Sequence, residues 1–199
     1  MSNSEITKRN IRKFVLEELE NTIFPKNISR NNISSKPTTC FVMGYVNYRG
    51  QQSLGGRTKG PSRWNKKFPE LYFLLKKYIQ LYKPDFKYTT IQINKNVISK
   101  PHVDKNNVGP SYAIALGDFS GGDLVIEGTA FNIKNKWKKF NGTLGHWITP
   151  FEGTRYSLIY FTHTFKPPSG YWRNTHITKK GLYKKGELIK SYMKKSNKK

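Results

Sequence analysis

Two stretches of helical periodicity, followed by about eight short strand-like segments separated by Gly- and Asn-containing turns, predict an α+β chain. The order suits a small jelly roll with N-terminal helices packed outside it. At 199 residues, with 36% hydrophobic and 14% aromatic content, the chain is long enough for one domain with a sizeable core. The first helix is expected from about Ser4 to Glu20, where Ile11, Phe14, Val15 and Leu19 fall on one side and Pro25 marks the end. Residues 26–39, rich in Asn, Ser and Pro, read as a linker. Cys40–Tyr48 has strand character. Gly50–Arg63 reads as a long basic loop with Gly50, Gly55, Gly56 and Gly60. A second helix is expected from about Phe68 to Tyr82, on the recurrence of Leu71, Tyr72, Leu75, Ile79 and Tyr82, with Pro84 ending it. The expected strands are Tyr88–Asn94, Ser99–Val103, Ser111–Leu116, Asp123–Glu127, Ala130–Ile133, Trp137–Phe140, Leu144–Ile148 and Arg155–Thr162. From Lys179 the chain is Lys-rich; Leu182, Leu188, Ile189 and Tyr192 allow a short helix, or a tail that orders on a polyanion. One compact domain is expected: residues 1–85 as a helical region with a basic loop at 49–67, residues 86–165 as the jelly-roll core, and residues 166–199 as a basic tail.

The charge balance narrows the partners. Lys and Arg number 36 against 12 Asp and Glu, a formal charge of +24. Such a surface favours polyanions, whether DNA, RNA or an anionic membrane face. A Lys-, Asn- and Ile-rich coding bias is the competing explanation, although it does not account for the scarcity of Glu. A single cysteine, Cys40, excludes an internal disulfide and fits a reducing compartment. The polar N-terminus lacks a secretory core, and no apolar run reaches the length of a membrane span. A soluble, intracellular protein without membrane attachment is therefore expected; the composition does not separate nucleus from cytoplasm and does not report an oligomeric state.

The residues that carry chemistry are His102-Val103-Asp104, Gly145-His146 and Arg155-Tyr156-Ser157. On a strand, residues i and i+2 face one side, so His102 and Asp104 can share a metal, and a third ligand must come from elsewhere in the fold, with His146 a candidate. Two imidazoles and one carboxylate leave open positions and suit non-haem Fe(II), whereas zinc usually takes more nitrogen or sulfur ligands. Arg155 lies nine residues beyond His146. Its planar fork suits the carboxylate of a 2-oxo acid, and Ser157, two residues on, can grip the same group. An inward arginine among Tyr156, Leu158, Ile159 and Phe161 needs an anion. Residue types alone also admit a surface histidine at 102, a core histidine bonded to backbone at 146 and a rim arginine at 155. His163 reads as a structural or supporting histidine, and His176 as solvent-exposed or phosphate-facing.

These segments resemble the Fe(II)/2-oxoglutarate-dependent dioxygenase superfamily, whose pattern is His-x-Asp, a distal His and a basic residue about ten positions beyond. Within it, residues 102–111, 116–126 and 155–163 are most similar to TET/JBP-type nucleic-acid base oxygenases. The resemblance covers about a third of the chain. It implies a double-stranded β-helix core at 86–165, with His102, Asp104 and His146 binding Fe(II) and Arg155 and Ser157 holding 2-oxoglutarate. O2 is then the co-substrate, and succinate and CO2 accompany hydroxylation of a C–H bond. Prolyl hydroxylases of the superfamily usually place a lysine where Arg155 stands. AlkB-type enzymes carry Asn-x-Tyr before the His-x-Asp, where this chain has Asn94-Lys95-Asn96. The cysteine-rich zinc modules of large TET enzymes are absent.

Gln92 and Asn94 alternate with Ile91 and Ile93, so they are expected to face the pocket and touch cofactor or substrate; ordinary strand-to-strand bonding is the alternative. Arg49, Arg57, Lys59 and Arg63 are expected to track phosphates, with Tyr48 or Trp64 stacking on a base, unless this segment is only a lid. Lys105 and Asn106 directly follow the metal motif and border the expected substrate entrance. The resemblance points to hydroxylation of a nucleic-acid base, DNA before RNA, at the methyl group of thymine or 5-methylcytosine. The competing functions are a lysyl- or prolyl-type protein hydroxylase, an AlkB-like demethylase, and a nucleic-acid-binding barrel without catalysis.

Overall fold

The computed structural model describes residues 3–28, 30, 33–49 and 57–163. The Lys-rich tail, its expected helix and His176 lie outside the described residues. The N-terminal half contains α1 (Asn3–Asn21), β1 (Lys26–Asn27), β2 (Thr38–Arg49), β3 (Arg57–Pro61), α2 (Arg63–Lys67) and α3 (Pro69–Tyr82). Then come β4 (Thr90–Lys95), β5 (Ser111–Leu116), β6 (Phe119–Gly121), β7 (Leu124–Ile126) and β8 (Thr129–Phe131). The last strands are β9 (Lys138–Phe140), β10 (His146–Ile148), β11 (Phe151–Gly153) and β12 (Tyr156–Phe161).

The main sheet runs β1-β2-β4-β12-β5-β9, with β3 paired to β2; smaller sheets are β10-β7-β8 and β11-β6. All pairs between these strands are antiparallel. The period of two in the strands sorts side chains between two cores. Phe41, Met43, Ile91, Ile93, Ile114, Leu116, Leu158 and Tyr160 face the helices, which bury Ile11, Val15 and Leu19 of α1 and Leu71, Leu75, Tyr78 and Ile79 of α3. The spacing of three and four along each helix puts those residues on one stripe. The Tyr160 hydroxyl donates to the Leu75 carbonyl at 2.8 Å and ties the sheet to α3. The alternate residues Ala113 and Ala115 join Phe119, Leu124, Ile133 and Phe140 on the opposite side, where the small sheets pack. A cavity opens on that side.

Four expectations change. Ser99–Val103 is not a strand: it forms only an isolated bridge at His102. Pro101 has no N–H for a ladder, and the Lys100 N–H goes to the Ile33 carbonyl at 2.8 Å. The segment expected as a basic loop contains regular elements among its described residues: Arg57–Pro61 pairs with β2, and Arg63–Lys67 is helical. The Asn65 amide explains the second of these: it bonds both the N–H and the carbonyl of Gly44, at 2.8 and 2.9 Å. Gly44 has φ +95, and a Cβ there would lie 2.3 Å from the Thr89 carbonyl oxygen, so only glycine fits. Third, the strand expected at Cys40–Tyr48 lies as β2 inside the main sheet between β1 and β4, and with β1 and β3 it makes the region before residue 86 part of the sheet rather than only helical. The strands β6 and β11 have three residues each and were not expected. Both end in glycine, and neither is long enough to show alternation.

Candidate metal centre

The two histidines meet because their backbones pair. His102 and His146 form an antiparallel bridge, with N–H to carbonyl bonds of 3.1 and 2.9 Å. This sets the imidazole centroids 4.3 Å apart. Asp104 is brought in by its own N–H, which donates to the Gly142 carbonyl at 2.8 Å. One ligand atom from each of His102, Asp104 and His146 then lies within 4.8 Å of the others. The Asp104 Oδ2 to His146 Nε2 separation is 3.8 Å.

Both imidazoles are oriented in the same way. His102 Nδ1 lies 2.7 Å from the Lys100 carbonyl oxygen, and His146 Nδ1 lies 2.8 Å from that of Leu144. A carbonyl only accepts, so each Nδ1 carries the proton and each Nε2 keeps its lone pair. Burial also lowers the His102 pKa, favouring the neutral, ligating form; the Lys100 carbonyl opposes this shift. Asp104 Oδ2 accepts from the Asn107 amide at 3.3 Å, which holds the carboxylate from the side. Histidines locked through Nδ1 and a braced carboxylate are the usual supports of a metal site.

The triad opens on a cavity of about 430 Å³, within the roughly 300–1,000 Å³ usual for small-molecule sites. Gln92, Asn94 and Ser157 line it. They are held by register, Ser157 opposite Asn94 and Ile159 opposite Gln92. Gln92 Nε2 donates to Asn94 Oδ1 at 2.8 Å, and Asn94 Nδ2 donates to Ser157 Oγ at 3.0 Å. The row thus runs in one donor direction and ends on a hydroxyl that still has a proton to give.

Arg155 is the most unusual side chain of this region. It is 1% exposed, and its Nε and Nη2 have no hydrogen-bond partner. Its guanidinium lies 5.5 Å from the Phe119 ring centre and 5.4 Å from that of Phe151. Burial pushes its pKa down to about 10, with Asp123 acting the other way. It is not on the wall of the cavity described above; Ser157 of the same strand face is. A guanidinium buried against rings with two idle nitrogens calls for an anion. Gly122 makes room for it: a Cβ at 122 would lie 2.8 Å from Arg155 Nε, and φ is +72. Gly122→Ala is therefore expected to displace the guanidinium and to cost about 1–2 kcal/mol of stability from its left-handed backbone. Thermal melting of the ligand-free variant beside wild type measures that cost.

The structure brings together His102, Asp104, His146, Gln92, Asn94 and Ser157, and it places Lys105 and Asn106, both exposed, on the same cavity wall. Arg63 is exposed and sits over Trp64 at 4.8 Å, away from this cavity. The side chains of Arg49, Arg57 and Lys59 lie outside the described residues. Sequence reasoning missed Asn107, although an amide three residues after a ligand aspartate is a local signal. It also missed Phe161 and His163 as cavity residues. Their signal was available, since 157, 159, 161 and 163 share the parity of one strand face. Arg30 also lines the cavity, and nothing near it in the chain announces that.

No family model matches the chain, and no curated protein does. Among solved structures, the chain is similar to an oxidoreductase of the 2OG-Fe(II) oxygenase family from Burkholderia pseudomallei. That likeness has 15% identity and a TM-score of 0.52, covering 75% of this chain and 76% of the other. The chain is also similar to NgTET1 in complex with 5mC DNA, at 16% identity and a TM-score of 0.49, over 78% of this chain and 68% of that one. The Burkholderia likeness shows a shared fold.

Proposed function

We propose that this chain is an Fe(II)/2-oxoglutarate-dependent dioxygenase on a double-stranded β-helix core, hydroxylating a nucleic-acid base at the methyl group of a 5-methylpyrimidine. The observation that carries the reading is the pairing of a His-Asp-His cluster with a buried guanidinium that has two unpartnered nitrogens. The shared fold with a 2OG-Fe(II) oxygenase supports it. Both groups fit the residues present. Two Nε2 lone pairs and one carboxylate oxygen are the donor set of a facial triad, and Arg155 provides the charge that a dicarboxylate requires. Fe(II), 2-oxoglutarate and O2 together supply C–H hydroxylation coupled to formation of succinate and CO2.

The chain's own residues have defined tasks. His102, Asp104 and His146 hold the metal, with protons kept on both Nδ1 atoms. Arg155 pairs with the distal carboxylate of 2-oxoglutarate, and Ser157 donates its proton to the same anion. Asn94 fixes the Ser157 rotamer, and Gln92 fixes Asn94. The apolar walls, among them Leu124, Ile133 and Ile148, exclude water.

A base as substrate is supported by the +24 charge and by the cavity rim. Phe161 and His163 line the cavity with their ring centres 5.2 Å apart, offering an aromatic face to a planar heterocycle. Burial lowers the His163 pKa and so favours its neutral ring, with the Asn106 carbonyl and Asp104 acting the other way. Arg30 and Lys105 line the same cavity from two different segments and are suited to the phosphates of a nucleotide turned into it. The test loads the chain anaerobically with Fe(II) and 2-oxoglutarate, then admits air with a panel of methylated and unmethylated oligonucleotides and peptides. Succinate release stimulated by 5-methylpyrimidine oligonucleotides, with one added oxygen on the base by mass spectrometry, is the expected result, and His102→Ala should abolish it. Stimulation by peptides alone, or salt-sensitive oligonucleotide binding without succinate, would overturn it.

A further inference from the structure

The two metal-facing histidines are braced by carbonyls in the same relative position, but the peptides that carry those carbonyls are held differently. His102 bonds the Lys100 carbonyl, which belongs to the peptide joining Lys100 to Pro101. The proline ring stiffens that unit and removes its N–H. His146 bonds the Leu144 carbonyl, which belongs to the peptide joining Leu144 to Gly145. Glycine offers no such stiffness. The N–H of this same peptide instead donates to the Glu127 carboxylate, at 2.6 Å. A peptide is planar, so whatever fixes its N–H also aims its carbonyl. Glu127 therefore reaches His146 through one rigid plane.

The local geometry shows that this bond is made at a cost to the backbone. Glu127 N–H donates to the Gly145 carbonyl at 2.9 Å, continuing the ladder in which His146 pairs with Ile126. The usual return bond would run from the Gly145 N–H to the Glu127 carbonyl oxygen, which would accept it. Glu127 instead has φ 47, opening the Glu127-Gly128 turn between β7 and β8, and its side-chain oxygen takes the place of its main-chain oxygen. Asn or Gly is the ordinary occupant of such a turn position. Gly145 accepts the approach because a Cβ there would lie 3.0 Å from Glu127 Oε1. A strained residue kept beside a functional cluster points to a role for its side chain.

We propose that Glu127 is a positioning residue of the metal centre: its carboxylate anchors the Leu144–Gly145 peptide, which fixes the ring plane and tautomer of His146 and, through that polarised peptide, raises the donor strength of Nε2. The inference rests on the reading of His102, Asp104 and His146 as a metal centre. Three forms of the full-length chain distinguish the two claims: wild type, Glu127→Asn and Glu127→Gln. Co(II) is the probe, read by calorimetric titration, by its visible absorption and by metal-free melting. Asn suits φ 47 but is too short to reach the Gly145 N–H, whereas Gln presents an acceptor at the reach of Glu. Glu127→Asn should melt no lower than wild type without metal, yet bind Co(II) about 10- to 100-fold more weakly with an altered spectrum. Glu127→Gln should recover most of the affinity and the wild-type spectrum. Wild-type affinity and spectrum in Glu127→Asn would overturn the role, as would a Glu127→Gln protein as weak as Glu127→Asn. A wild-type chain that binds no Co(II) would instead overturn the metal-centre reading on which the role rests.

Discussion

Arg155→Met should yield a chain that melts higher than wild type in the absence of 2-oxoglutarate and no longer responds to 2-oxoglutarate at all. The two effects have one cause. In the structure the guanidinium is almost fully enclosed, with Nε and Nη2 unpartnered and Phe119 and Phe151 on its flanks. An enclosed charge without a counter-ion is a stability cost that a ligand carboxylate offsets. Methionine is of similar length, flexible and compatible with aromatic neighbours, so it removes the cost without leaving a large void. A gain of about 1–3 kcal/mol is expected on the scale of buried-charge replacements. That corresponds to roughly 2–4 °C per kcal/mol for a chain of this size. The partial attraction from Asp123 reduces the gain but does not reverse it, because burial outweighs it in setting the arginine's pKa. Wild type should be stabilised by saturating 2-oxoglutarate, by about 2.7 kcal/mol at a hundredfold excess over Kd, whereas the variant should show no shift. Differential scanning of both proteins with and without the ligand decides the matter. A variant less stable than wild type in the unliganded state would mean that the guanidinium already has a partner.

His146→Ala should remove metal binding altogether. In the proposed metal centre His146 supplies a ligand nitrogen; it also makes the backbone bridge to His102 and an edge contact to Phe140 at 5.3 Å. Alanine retains the bridge, which is main-chain, so the loop carrying His102 should remain in place. The remaining His102 and Asp104 offer two donors, too few to compete with water for Fe(II). Wild type should gain about 5–15 °C in Tm with Co(II) at 100 to 1,000 times Kd, and the variant nothing. Succinate formation should fall to the background of free Fe(II). Retention of a metal-dependent shift in His146→Ala would show that the ion sits elsewhere.

Much of this site can be read along the chain, because its parts lie on short segments with strong local rules. Gln92, Asn94, Ser157 and the facing Ile residues follow from alternation alone, and the register confirms their shared face. The helical stripes of α1 and α3 were equally legible, since a spacing of three and four has no other reading at that length. The failures have equally local causes. Ser99–Val103 follows the β-branched pair Val97-Ile98 and ends on Val103, yet a proline at 101 leaves it only a bridge. The short strands β6 and β11 show no alternation because three residues cannot display a period. Asn65 has no visible role until Gly44, on a different element, is set beside it.

Residue identity and spacing, with the resemblance they carry, pointed to a candidate donor set of two imidazoles and one carboxylate with a distant guanidinium, and to a strongly positive net charge. The tertiary structure decided how those groups are oriented and whether they are satisfied. Which nitrogen of each histidine is free depends on a carbonyl two residues back and on what holds that peptide. Whether Arg155 is paired depends on Gly122, Phe119 and Phe151, which come from other segments. Periodicity is a property of one segment and survives in the sequence, whereas hydrogen-bond satisfaction is a property of the groups that meet, and those meet only when the chain has folded.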